Sequence, residues 1–155
     1  MATEAKTTIH SLLVPMWTTP LLLPDTAMAE VVGFTVPESE RNAPWHLGDI
    51  FWRGLRLPLI TLEAAMPTVE EIGKRARIGI LNSATGNEDI PFMAILINGI
   101  PRLQNVGPDD LSPAENASEM EEPPRGIAGY ARLSETVVAL PDMKELEAMS
   151  LEAMG

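Results

Sequence analysis

The residue types that could do chemistry in this chain are few and scattered. Its only histidines, His10 and His46, are far apart in sequence and lack the close spacing that sets two metal ligands on one helix face. Each reads as an isolated surface or half-buried imidazole. The chain has no cysteine, which removes disulfides, thiolate catalysis and zinc-thiolate sites together. No phosphate-cradling glycine loop, dinucleotide fingerprint or Gly-x-Ser-x-Gly elbow occurs. Carboxylates are abundant, but a general acid and base need a cleft that drives their pKa values apart, and a linear pattern displays no cleft. A hydrolase working through a carboxylate pair therefore rests on abundance alone. The residue that stands out is Arg53, a charge within the largely apolar run "WHLGDIFWRGLRLPLITLE" at 45–63. It is either a solvated turn residue beside Gly54 or a recognition residue.

The elements that must position Arg53 are short. Fourteen prolines and eleven glycines in 155 residues interrupt the apolar runs at intervals that suit strands better than helices, so the chain reads as mainly β. Residues 9–17 place Leu12, Val14 and Met16 on one face, and "PLLLP" at 20–24 returns as the partner of a hairpin. "PDTAMAEVVGF" at 24–34 predicts one helical turn capped by Asp25, then an extended segment. Residues 48–54 and 55–62 predict two strands that meet at Arg53 and Gly54, where glycine accepts positive φ. The first half closes near Met66. "PTVEEIGKRAR" at 67–77 reads as a linking helix with a capping box at Thr68 and Glu71.

In the second half, "RIGILN" at 77–82 and "PFMAILING" at 91–99 predict a strand pair, which "GIPRLQNVG" continues. The acidic, proline-rich stretch 108–124 predicts an exposed loop, and its "NAS" at 116–118 matches a glycosylation acceptor without a secretion signal to serve it. "GIAGYARL" and "TVVALP" predict a last pair of strands. A terminal helix starts at Asp142, with Glu145 at capping-box spacing and Met143, Leu146 and Met149 or Ser150 along its apolar stripe. The resulting division is a single domain over 1–155, with subdomains at about 9–66 and 76–140 and a helix at about 142–153.

Charge narrows the partners. Twenty-two acidic residues against eleven basic ones give a net charge of −11, which repels phosphate backbones and anionic membrane surfaces. Prolines 15, 20 and 24 break the longest apolar stretch, so it cannot span a bilayer, and no signal peptide is evident. A cytoplasmic protein without nucleic-acid partners, membrane insertion or cofactors is expected.

"EVVGF" at 30–34 followed by "APWHLGDIFWRGLRLPLITLE" at 43–63 resembles the signature of CheW-like domains, through Glu30, Gly48, Arg53, Gly54 and Pro58. The resemblance continues through "RIGILN", "FMAILINGIPRLQNV" and "RGIAGYARLSETVVALPDMKELEAM", roughly residues 9–150. It implies two packed SH3-like five-stranded β-barrel subdomains with short helices, including one at the C-terminus. It also implies a protein that is not an enzyme: an adaptor coupling methyl-accepting chemoreceptor cytoplasmic tips to the regulatory domain of a CheA-type histidine kinase. The chain is similar to the shorter, divergent adaptors of type IV pilus chemosensory systems, of the ChpC or PilI kind, which act in twitching motility. Phe51 and Trp52 depart from the common pattern before the arginine.

The same resemblance implies an ion pair between Arg53 and Glu30. It would be worth about 0 to 1 kcal/mol if exposed, and deletion of one partner would cost about 3 to 5 kcal/mol if the pair were buried. The candidate partner-binding residues are Glu30, Val31, Trp52, Arg53, Gly54, Ile127 and Tyr130; the apolar ones suit a core equally well, Trp52 better than a surface, and backbone geometry is the better explanation for the glycine. A small-molecule-binding β-barrel with no signalling role is the alternative.

Overall fold

Alternation of apolar side chains along short runs bounded by proline, glycine and polar turns builds an all-antiparallel meander only where neighbours in sequence also pair. Here two parallel contacts break the meander and divide the strands between two sheets. The computed structural model describes residues 8–38, 43–62, 72–86, 88–113 and 125–154. Its elements are β1 (Ile9–Val14), β2 (Leu21–Pro24), a 3₁₀ turn (Asp25–Ala27), β3 (Met28–Gly33), β4 (His46–Trp52), β5 (Leu55–Ile60), β6 (Arg77–Asn82) and β7 (Phe92–Ile97). These are followed by β8 (Arg102–Val106), β9 (Leu111–Pro113), β10 (Ile127–Leu133), β11 (Thr136–Pro141) and helix α1 (Met143–Met154). No helix among the described residues is long and apolar enough to cross a membrane.

The mainly β fold is as the sequence indicates: two sheets, one of them curled, and a C-terminal helix. One sheet has five strands in the order β3-β6-β7-β5-β4, and the other has six, in the order β8-β1-β2-β11-β10-β9. The sixth strand is β9, three residues within the stretch expected to be loop throughout; residues 114–124 lie outside the described residues. The parallel contacts are β5 with β7 and β2 with β11. A division at residue 66 therefore does not separate the sheets. The five-stranded sheet draws on residues 28–97, and the six-stranded sheet combines the β1–β2 hairpin with the last four strands. Segment 102–106 does not extend the sheet of β6 and β7 either, because its register is with β1, from Ile9 opposite Val106 to Leu13 opposite Arg102.

Among the described residues, three apolar cores follow from this arrangement. Along β7, Met93, Ile95 and Ile97 enter a central core shared with Val14, Leu21 and Leu23 of the other sheet and with Leu146, Met149 and Ala153 of α1. The alternate residues Ala94 and Leu96 face a second core with Ile50, Leu57, Leu59, Ile78 and Ile80. Leu22, Val106, Ala131, Leu133 and Val138 form a third, on the far face of the six-stranded sheet. A strand buried on both faces reads as a continuous apolar run, which is what "FMAILI" is. Each fully buried Leu or Ile contributes about 1.5 to 3 kcal/mol.

Local chemistry sets the ends of the elements. The 3₁₀ turn forms as expected, but Asp25 lies inside it and the extended Pro24 occupies the capping position, where a proline has no side-chain oxygen to cap with. The Thr68–Glu71 capping box lies outside the described residues. At the last helix, Asp142 Oδ1 accepts the Glu145 N–H at 3.1 Å, while Glu145 turns its own carboxylate to Arg125 rather than back to the cap. Arg125 also donates from Nη1 and Nη2 to the two oxygens of Glu152, and its guanidinium lies 5.3 Å from the centre of the Trp45 ring. It ties the helix to the start of β4.

Two glycines permit close approaches that no other residue would. A Cβ on Gly126, at φ +98°, would lie 2.6 Å from Leu62 Cδ2 and 3.2 Å from Met149 Sδ, where the chain enters β10 beneath α1. Gly48, at φ +124°, sits in a bulge of β4, and its Cβ would meet Pro37 Cβ at 2.7 Å and the Glu38 carbonyl at 2.8 Å. That segment is held against β4 by Glu38 N–H to Asp49 O at 2.8 Å and Asp49 N–H to Glu38 O at 2.7 Å.

Gly48→Ala should therefore destabilise by more than about 1 kcal/mol, measured as a lower urea midpoint with unchanged slope. A wild-type midpoint in the variant would refute the close packing. The Arg125 guanidinium, by hydrogen bonding, holds the Glu152 carboxyl below its ordinary range, outweighing a small opposing desolvation. A depressed carboxyl pKa stabilises above its unfolded value, and that stabilisation is lost as pH falls through the folded value. Glu152→Gln should accordingly melt slightly below wild type at neutral pH, with the two melting curves converging in acid below the carboxylate range.

Candidate functional site

Strands β4 and β5 pair from His46 opposite Ile60 to Trp52 opposite Leu55, leaving a two-residue turn. Both turn residues have positive φ, Arg53 at 49° and Gly54 at 80°, the pattern of a type I′ turn, whose twist matches the flanking strands. Glycine accepts this without penalty. Arginine does not, and an L side chain in the left-handed region costs about 1 kcal/mol or more. The turn geometry expected of Gly54 is thus imposed on Arg53 as well.

Arg53 is held from two sides. Its Nη2 donates to Glu30 Oε1 at 3.2 Å, and its guanidinium carbon lies 5.1 Å from the centre of the Trp52 ring. The same Glu30 oxygen accepts the Trp52 indole N–H at 2.8 Å. The Trp52 ring packs edge-on against Phe92, with centroids 4.8 Å apart and planes at 64°, a favoured aromatic geometry at the rim of the second core. Arg53 is 71% exposed and Glu30 38%, so the expected ion pair forms and belongs to the exposed kind.

The placement of Glu30 matters beyond the pair. It stands on β3, one outer strand of the five-stranded sheet, whereas Trp52 and Arg53 stand at the end of β4, the other outer strand. The Glu30 carboxylate therefore spans the seam where the curled sheet meets itself.

Of the residues singled out from sequence, Glu30, Trp52, Arg53 and Gly54 come together at this seam. Val31 neighbours Glu30 but packs against the central core. Ile127 is buried in that core and Tyr130 packs against it, both from β10 of the six-stranded sheet. Around the hairpin the exposed apolar side chains are instead Phe51 at 62%, Leu55 at 38% and Val36 at 70%. Strict alternation could have found Phe51, since burying Trp52 turns its neighbour outward.

A second polar cluster lies on the opposite face of the same hairpin. Asp49 receives Arg56 Nε on Oδ2 at 2.8 Å and bonds His46 Nε2 through Oδ1 at 2.9 Å. Three residues apart on a regular strand, His46 and Asp49 would face opposite ways. The bulge beside Gly48 restores them to one face, opposite Ile60 and Pro58. His46 is 1% exposed, a buried histidine rather than a surface or half-buried one, and no linear signal marked its partner. His10 is exposed, and its Nδ1 bonds the Asn105 side chain at 2.8 Å. Among the described residues, no group of three His, Cys, Asp or Glu side chains is placed to hold a metal ion.

The CheW-like domain family matches residues 12–149. Among solved structures, the chain is similar to the scaffolding protein TtCheW from Thermoanaerobacter tengcongensis, at 14% identity and a TM-score of 0.64, covering 88% of this chain and 90% of that one. No curated protein matches in sequence.

Truncating the two partners at the seam should have unequal effects. Arg53→Ala should cost about 0 to 1 kcal/mol, as for an exposed pair. Glu30→Ala should cost more, about 1 to 3 kcal/mol, because it also removes the acceptor of a half-buried indole N–H. Urea unfolding of both variants tests this, and equal losses would show that the indole bond adds nothing.

Proposed function

Because the chain belongs to the CheW-like domain family, we propose that it is a non-catalytic adaptor coupling methyl-accepting chemoreceptor tips to the regulatory domain of a CheA-type histidine kinase in the cytoplasm. The observation that carries this reading is the hairpin tip. Arg53 is held in a left-handed turn conformation, pinned between Glu30 and Trp52, with its guanidinium largely in solvent and Phe51 and Leu55 exposed beside it. A fixed charge framed by apolar side chains is what a recognition surface requires, since apolar burial supplies affinity while charge selects the partner. Pre-organisation of the arginine also lowers the entropy lost on docking.

Glu30, Trp52, Arg53 and Gly54 form the core of the proposed recognition surface, with Phe51 and Leu55 added to it. Val31, Ile127 and Tyr130 act from behind as packing, so substitutions there would alter binding through the shape of the barrels. The narrower reading of a ChpC- or PilI-type adaptor serving twitching motility rests on the sequence resemblance along the chain, and Phe51 and Trp52, which depart from the common family pattern, would bear on the choice of partner. The fold neighbour being a scaffolding protein supports the scaffold role.

Titration of wild type and Arg53→Ala against an isolated kinase regulatory domain and a receptor-tip fragment tests the reading. The variant should bind at least about tenfold more weakly, a hot-spot loss of more than 1 kcal/mol, while melting close to wild type. Failure of the wild type to bind either partner would overturn the adaptor role, and undiminished binding by the variant would remove Arg53 from the surface.

A further inference from the structure

The six-stranded sheet ends at β8, and among the described residues no strand pairs with its outer edge. The other outer strands are blunted. β9 has three residues and finishes on Pro113, β4 is bridged by Glu38, and β3 is clasped by side chains from β4. β8 has five residues and no proline, with Leu103 76% exposed and Ile100, just before the strand, 60% exposed. Leu103 stands opposite Leu12, so its face continues into the apolar side chains of β1. An unpaired edge bearing exposed apolar residues is a template for strand addition.

We propose that this edge pairs antiparallel with the same edge of a second copy of the chain, about a two-fold axis at Gln104. A residue on the axis of an isologous interface meets its own copy, and the Gln104 amide suits that place because it is both donor and acceptor. In this register Leu103 faces the partner's Asn105, and the two leucines lie diagonally on one face, extending the apolar strip from Leu12 across the junction. The charges are also complementary. Arg102 falls opposite the partner's Val106, beside the turn that carries the partner's Asp109 and the partner's Asp110. In each chain that turn is fixed by Asp110 Oδ2 accepting the Gly107 N–H at 2.6 Å, which leaves Asp109 exposed at its apex. The net charge of −11 on each copy opposes association only weakly at physiological salt, where charges farther apart than about 8 Å are screened.

Sedimentation velocity of the full chain at physiological salt, over about a hundredfold range of concentration, tests the interface. A reversible monomer–dimer equilibrium is expected, with Leu103→Lys monomeric throughout. Arg102→Glu should weaken the dimer by about tenfold or more, and the exchanged pair Arg102→Glu with Asp109→Arg should recover it. Melting temperatures close to wild type establish that these surface variants fold. A wild type that stays monomeric at every concentration, a dimer that Leu103→Lys leaves intact, or an exchange that recovers nothing would each overturn the proposal.

Discussion

Glu30 Oε1 accepts both the Trp52 indole and the Arg53 guanidinium, and these two bonds cross the gap between β3 and β4, the outer strands of the five-stranded sheet. A curled sheet that does not hydrogen-bond around its whole circumference has two edges, each a row of unpaired backbone groups. Side-chain closure joins those edges without demanding matched register, so the hairpin tip can keep its own twist. Trp52 links this closure to the interior through Phe92, and Arg53 links it to solvent. On the proposed function, stability and recognition would share one carboxylate.

Most strands were legible in the sequence because their cause is local: alternation, a proline or glycine at each end, a two-residue turn at Arg53 and Gly54. The Glu30–Arg53 pair was legible only through the family resemblance, since nothing in composition links residues so far apart in the chain. What the sequence hid was partnership between strands. The run at 102–106 reads as a strand from its own residues, but its pairing with β1 rather than with β7 depends on which edge is vacant, a property of the folded sheet. The same holds for His46 and Asp49. Their shared face exists because of one bulge, and the glycine that permits it looks no different in sequence from a turn glycine. Ile127 and Tyr130 illustrate the reverse difficulty, because a glycine-bordered apolar pair suits a surface patch and a core equally well, and the fold buries Ile127 in the central core while packing a partly buried Tyr130 against it.

Charge is distributed to match these roles. Arg125 gathers Glu145, Glu152 and the face of Trp45, so that two of the many acidic groups are compensated where the last helix meets the body of the protein. Its pKa is raised by those hydrogen bonds, first that to Glu152, which keeps the guanidinium charged under all ordinary conditions. The excess of acidic over basic residues, 22 against 11, makes the surface strongly acidic, a field that favours basic partners and speeds their encounter at low ionic strength.

The strand order has a consequence for how the protein is made. The five-stranded sheet is complete once residues 28–97 are available, and its contacts are comparatively local in sequence. The six-stranded sheet is not, because β2 finds its neighbour only when Leu21 can meet Ala139 on β11. During synthesis Leu21 and Leu23 of the β1–β2 hairpin can pack on β7 once the five-stranded sheet forms, but Leu22, whose core is shared with Ala131, Leu133 and Val138, must wait for β10 and β11. High contact order of this kind slows folding and lengthens exposure to aggregation. The prolines at 15, 20 and 24 around that hairpin act as gatekeepers during the wait, denying the apolar run the uninterrupted backbone donors that intermolecular sheets require.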